Sequence, residues 1–155
     1  MDMLVKLYSL PKSDEAFAAL TRAGIGIRRS LPPEKHKVAS WVLQQFGPGW
    51  ASEVEVAFSH IPVGCFVAYE RTKLLGFACH DATCANFFGP TGVDLSARNC
   101  GIGKALLFAC LEAMKHQGFA YAIIGGVGPI QFYSKVVGAI AIEGSEPGIY
   151  NGLLS

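Results

Sequence analysis

The sequence predicts an α/β domain, and three stretches carry the prediction. Residues 65–69 and 74–79 read as two strands around the polar turn Glu70-Arg71-Thr72-Lys73, the pattern of a hairpin. Residues 86–95 read as a strand that runs through a glycine-rich turn into a helix over 101–117. That helix places Ile102, Ala105, Leu106, Ala109, Cys110, Ala113 and Met114 at the spacing of one buried face. Residues 119–125 are nearly all apolar, as in a strand buried on both faces.

Taken in order, residues 3–8 alternate enough for a first strand, closed by Pro11. Ser13-Asp14-Glu15 starts a helix with Phe17 and Leu20 on its buried stripe. The stretch 23–30, with Gly24, Gly26 and the adjacent cations Arg28 and Arg29, reads as a loop. Pro32-Pro33-Glu34 opens a second helix, which carries Val38, Trp41 and Val42 on one side and stops near Gly47-Pro48-Gly49. Residues 50–59 fit two templates. Trp50, Val54, Ala57 and Phe58 sit at helical spacing behind a Ser52-x-x-Glu55 capping box, whereas Val54, Val56 and Phe58 suit a strand; the helix is the reading adopted. Gly118 stands at the C-cap of the 101–117 helix. A short helix over 129–137, a last strand over 139–142 and a loop-like tail at 144–150 complete one domain over 1–155, without repeat or linker.

Composition excludes several functions. With 51% apolar and 16% charged residues, the chain is a compact globule rather than a disordered segment. A net charge of +1 supplies no global field for nucleic acid or an anionic membrane, so any anion site must be local. Five cysteines without a Cys-x-x-Cys pair fit reduced thiols, three of them in apolar strand or helix patterns. The first residues lack a basic flank and a long apolar core, and no apolar run approaches the ~20 residues of a membrane span. The expected location is the cytoplasm.

A glycine-rich turn at a helix start offers unpaired N–H groups and the positive end of the helix dipole to an anion, most often a phosphate. Spacing separates the kinds of turn. A Walker loop is contradicted by Arg98 at its first glycine position and by Ala105 at its magnesium-binding hydroxyl. A dinucleotide fingerprint is contradicted by Leu106 at its third glycine. Arg98-x-x-Gly101-x-Gly103 instead resembles the acyl-CoA pyrophosphate loop of the GCN5-related N-acetyltransferase (GNAT) family. The segment 93–98 is similar to that family's strand-to-loop segment, with Leu95 where the family often has Pro. Residues 128–138 are similar to its fourth-helix pattern, Phe/Leu-Tyr-x-Lys-x-Gly. In two departures, Gly126 replaces a frequent Asn, and an extra residue separates Lys135 from Gly138. The motif-bearing part is 62–143.

This resemblance implies a mixed, mostly antiparallel central sheet flanked by helices, with the strands at 86–95 and 119–125 splayed to form an acyl-CoA cleft. It implies acetyl-CoA as co-substrate and no metal. The implied binding residues are Val93, Asp94, Leu95, Arg98, Asn99, Cys100, Gly101, Ile102, Gly103, Lys104 and Tyr133, with Tyr133 also the general acid for the departing thiolate. Read from the residues alone, Tyr133 also suits a core aromatic beside Phe132, and Cys100 offers its N–H rather than its sulfur. Pro90 between Gly89 and Gly92 predicts a bulge that frees backbone groups for pantetheine.

Deprotonating the acceptor is the harder task. An alkylammonium of pKa ~10.4 is only about 1 in 2500 neutral at pH 7, a deficit of roughly 4.6 kcal/mol. Glu53, Glu55, His80 and Asp81 are the candidate bases, with Glu55 the one adopted; Cys79, His80 and Cys84 lack the spacing of a zinc site. The expected activity is acetyl transfer to a primary amine of a small molecule or amino-acid derivative, by direct attack in a ternary complex. Residues 25–29 and 144–150 would supply acceptor contacts, the two arginines favouring a carboxylated acceptor. Nucleic acid and membrane are not expected partners, and a homodimer is allowed. Two rivals are a non-catalytic acyl-CoA-binding sensor, for which Gly126 argues, and a nucleotide-phosphate-binding module, against which Ala105 argues.

Overall fold

The computed structural model describes residues 1–155, and its centre is the helix that the glycine turn starts. This helix, α4 (Ile102–His116), buries the expected stripe apart from Ala113, which is half-buried, and also Leu107, Phe108 and Leu111. One side packs on the sheet and another on α1 (Asp14–Arg22), so most of its circumference is covered. Ser13, just before α1, donates its hydroxyl to Glu112 at 2.6 Å and ties the two helices together.

Seven strands form one sheet. They are β1 (Met3–Lys6), β2 (Gly26–Arg29), β3 (Cys65–Glu70), β4 (Lys73–His80), β5 (Phe87–Val93), β6 (Tyr121–Ile124) and β7 (Ile140–Ala141), in the spatial order β2-β3-β4-β5-β6-β1-β7. Every pairing is antiparallel except β5 with β6. The opposite face is covered by α2 (Lys35–Phe46) and α3 (Pro48–Ala57), whose Val38, Val42, Val54 and Ala57 pack with Cys65, Val67 and Phe77. The ambiguous segment 50–59 is thus helical through Ala57. The last helix, α5 (Ile130–Val137), ends at Gly138, whose φ of +65° is the left-handed cap that glycine adopts without strain.

Three expectations are corrected. The stretch 26–29 is a strand rather than a loop: it pairs with Phe66–Tyr69, and a Cβ on Gly26 would overlap the Tyr69 ring. The 119–125 strand is shorter, and its four residues alternate in burial: Ala122 and Ile124 join the core beneath α4, while Tyr121 and Ile123 turn to the more open face. The first strand is shorter than 3–8, ending at Lys6 before a 3-10 turn over Leu7–Ser9. It lies between β6 and β7, pairing Met3 with both Ile124 and Ala141. Met3, Val5 and Leu7 are exposed by 1% or less, each burial contributing about 1.5–3 kcal/mol. Beyond β1, Met1 O accepts from Val127 N, and Asp2 Oδ1 accepts from Gly126 N at 2.8 Å.

Candidate active site

Strands β5 and β6 pair only at Phe87 with Ile123 and Phe88 with Ile124, and then part. On its other side β5 slips register against β4, with His80 opposite Phe88 but Ala78 opposite Thr91. The extra residue falls at Gly89-Pro90, where the sequence predicts a bulge. Between the parted strands lies a cavity of about 440 Å³, lined by Phe88–Thr91 on one side and by Ile124–Pro129 with Tyr133 on the other. Trp50, Glu53, Thr83 and Tyr150 complete it from the α3 face.

Tyr133 is held by its ring. It meets Phe132 edge-on at 5.1 Å and Phe88 at 6.3 Å between centroids, while its hydroxyl has no hydrogen-bond partner in the protein. Burial alone pushes the phenol above its usual pKa, so it stays protonated at neutral pH and can donate. Tyr133 thus packs in the core through its ring and also lines the cavity.

At the far end of β5 the chain turns into α4. The Asp94 carboxylate accepts from Ser96 Oγ, Gln45 Nε2 and Ser96 N, which hold it at about 2 and fix the turn. Its side chain is thereby occupied within the protein. Arg98 is exposed and donates Nε to Val93 O at 3.3 Å. Gly101 has φ +87°, and a Cβ there would meet nothing within 4 Å. A Cβ on Gly103 would meet only Val93 Cγ2, at 3.9 Å. No side chain caps α4, so the N–H groups of its first turn remain open to an anion. Leu95, Asn99, Cys100 and Lys104 are exposed around this cradle, Val93 is half-buried, and the Ile102 side chain is buried, leaving only its N–H to offer.

The model of the acetyltransferase (GNAT) family matches residues 35–139, well over half of the chain. The chain belongs to this family. Solved structures share its fold. A fungal β-N-acetylglucosaminidase with a GCN5-related glucosamine N-acetyltransferase region superposes with a TM-score of 0.72 at 18% identity, over 88% of this chain and 19% of that one. The Ard1 protein of Thermoplasma volcanium gives 0.53 at 17% identity, over 72% and 80%. An aminoglycoside acetyltransferase from an uncultured soil sample, in complex with trehalose, gives 0.52 at 16% identity, over 74% and 88%. No curated protein sequence matches the chain.

Within this GNAT domain the residues around the cleft sort clearly. Glu53 lines it, and its carboxylate accepts a hydrogen bond from Thr83 Oγ1. Glu55, the base adopted from the sequence, is exposed and lies outside the cavity, because two positions along α3 turn a side chain to the far face. His80 and Asp81 face a different cavity. Of the segments expected to hold the acceptor, the tail reaches the cleft through Tyr150, but 25–29 does not: Arg28 pairs with Glu34 at the sheet edge. Tyr150 lies over the Gly125-Gly126 turn, where a Cβ on Gly125 would stand 2.7 Å from its hydroxyl. Burial raises the Tyr150 pKa, the Thr83 hydroxyl opposes this, and the Glu53 charge adds to it. Gly126, the departure from the family pattern, has φ +56° beneath the same ring. Thr83, which belongs to no motif, escaped the sequence reading; Tyr150 lay within the tail expected to meet the acceptor but nothing singled it out, and only the fold brings the two to Glu53.

No group of three or more His, Cys, Asp or Glu side chains is arranged to hold a metal, and no helix is long and apolar enough to cross a membrane. All five cysteines are unpaired.

Proposed function

We propose that this protein transfers the acetyl group of acetyl-CoA to a primary amine of a small molecule by direct attack in a ternary complex. The observation that carries the reading is one cavity holding both a carboxylate, Glu53, and a protonated phenol, Tyr133, beside an open helix-start cradle. The cradle of Arg98 and the N–H groups at Gly101–Lys104 suits a pyrophosphate. The bulge at Gly89-Pro90 leaves backbone groups for the pantetheine amides.

Bound acetyl-CoA supplies the activated acyl carbon. Glu53 takes the proton of the ammonium, directly or through water, with Thr83 orienting it. The amine nitrogen then forms its bond to carbon, a backbone N–H near Val93 polarises the carbonyl, and the C–S bond breaks. Tyr133 gives its proton to the sulfur. The second ammonium proton leaves the nitrogen as the amide forms and returns to the phenolate through water, while the proton on Glu53 passes to solvent. Among the residues lining the cleft there is no Lys, Arg or His, and the one charge is the Glu53 carboxylate. That disfavours a carboxylate beside the attacking amine and favours an amino sugar, an amino-acid amide or another cationic amine.

Thiol release across an amine panel tests this. Glucosamine, an aminoglycoside and amino-acid amides should exceed the matching free amino acids. Acetyl-CoA binding without thiol release from any amine would instead make the protein an acyl-CoA sensor.

A further inference from the structure

A second cavity, of about 390 Å³, lies on the α4 face of the sheet, where β4 ends beside the end of α4. Arg29, His60, His80, Asp81 and Gln117 line it. The segment 81–86 separates it from the cleft, giving Asp81 to this cavity and Thr83 to the other. Its volume lies within the usual range for small-molecule sites.

The charge arrangement is specific. His80 is 3% exposed and stands 3.3 Å from Arg29 Nη1 through its Nε2. A guanidinium only donates, so Nε2 accepts, and the ring proton sits on Nδ1, donated to Asp81 Oδ2 at 2.7 Å. Asp81 Oδ1 accepts from Asn86 N at 2.6 Å, which leaves this carboxylate occupied on both oxygens. His60 Nε2 bonds to Asp81 O at 2.8 Å and braces the same turn. Arg29 lies over the Phe66 ring, 4.6 Å from its centroid, and also donates Nη1 to Val63 O at 2.6 Å.

Arg29 therefore has no carboxylate partner, and its Nε and Nη2 N–H groups have no acceptor in the protein. Its neighbour Arg28 shows the contrast, engaging both oxygens of Glu34. Burial depresses the Arg29 pKa, opposed only by the Cys110 sulfur. A half-buried guanidinium, braced on one nitrogen and free on the others, is poised for two oxygens in one plane.

We propose that this cavity binds a small carboxylate-bearing ligand, seated on the free N–H groups of Arg29 with His60 and Gln117 at its rim. Arg29 is the one cation for one ligand charge, since the Asp81 carboxylate on the same wall is turned onto His80 Nδ1 and Asn86 N, and no second basic side chain except His60 stands by to balance a phosphate dianion. This site is independent of the acetyl-transfer reading, and its test needs no turnover.

Benzoate, acetate and inorganic phosphate are titrated into the full chain at constant ionic strength, followed by NMR. The expected result is saturable benzoate or acetate binding that shifts the His80 ring and the Gln117 side-chain amide while leaving the Gly103 amide in place. Arg29→Gln should weaken that binding at least tenfold, whereas Arg28→Gln should leave it unchanged. If Arg29→Gln does not fold, Arg29→Lys keeps the charge but loses the planar fork, and a fivefold or greater loss is expected. Absence of saturable carboxylate shifts at His80, undiminished affinity in the Arg29 variant, or tighter phosphate than carboxylate binding at these resonances would overturn the proposal.

Discussion

At the scale of single residues, the cleft distinguishes two glutamates that stand two positions apart. Glu53 shares a face of α3 with Trp50 and looks into the cavity, whereas Glu55 looks to solvent. Glu53→Gln should lower turnover about 10²-fold or more at neutral pH with acetyl-CoA affinity unchanged, and Glu55→Gln should leave both alone. Steady-state rates and calorimetry on the two variants check this. Helical arithmetic over 50–58 could have chosen between them, since Trp50, Glu53, Val54 and Ala57 fall within one arc and Glu55 opposite it. Thr83 and Tyr150 had no such signal. They lie 30 and 97 positions from Glu53, and their approach is a product of the tertiary fold alone.

At the scale of elements, the turn into α4 was the most legible part of the chain, because glycines at a helix start have few physical explanations. The structure sharpens its test. A side chain at Gly103 meets only Val93, so Gly103→Val should fold normally yet lose acetyl-CoA binding by filling the cradle. Arg98→Ala removes one charge-assisted contact from an exposed arm, roughly 1.5 kcal/mol or about a tenfold loss. Calorimetry with acetyl-CoA ranks the two, and normal binding by the valine variant would reject the cradle. Strand β2 was less legible. Two adjacent arginines at a sheet edge carry no apolar alternation, and Gly24 and Gly26 suggest a loop. The Arg28–Glu34 pair that anchors β2 gives a pH test. Hydrogen bonds from Arg28 lower the Glu34 pKa from 4.5 to about 2. The pair's stabilisation is thus present above pH 4.5 and lost as pH falls toward 2. Both side chains are about a third exposed, so solvent screening limits its size to about 1 kcal/mol. Urea unfolding should show wild type ahead of Glu34→Gln at pH 6, with the gap closing near pH 2.5.

At the scale of the whole molecule, the N-terminal strand closes the sheet. Local propensity identified β1 as a strand, but nothing in residues 3–8 states that they insert between β6 and β7, since pairing partners are fixed by the assembled sheet. Its role should be visible as global stability. Met3→Ala is expected to cost about 2–5 kcal/mol in urea unfolding, against near-neutral changes for the exposed Tyr8. The strand also serves the cleft, because Asp2 holds the Gly126 N–H and so fixes the wall that faces Tyr133. Sheet, helix start and cleft together amount to a single claim, that acetyl transfer to an amine takes place where β5 and β6 part. Thiol release from acetyl-CoA with the best amine of the panel, compared between wild type and Tyr133→Phe under conditions where chemistry limits turnover, tests it most directly. The expected result is a rate lower by about 10², the modest end for a general acid because a thiolate is a fair leaving group, with unchanged acetyl-CoA affinity. An unchanged rate across the pH range would contradict the account and remove Tyr133 from the reaction.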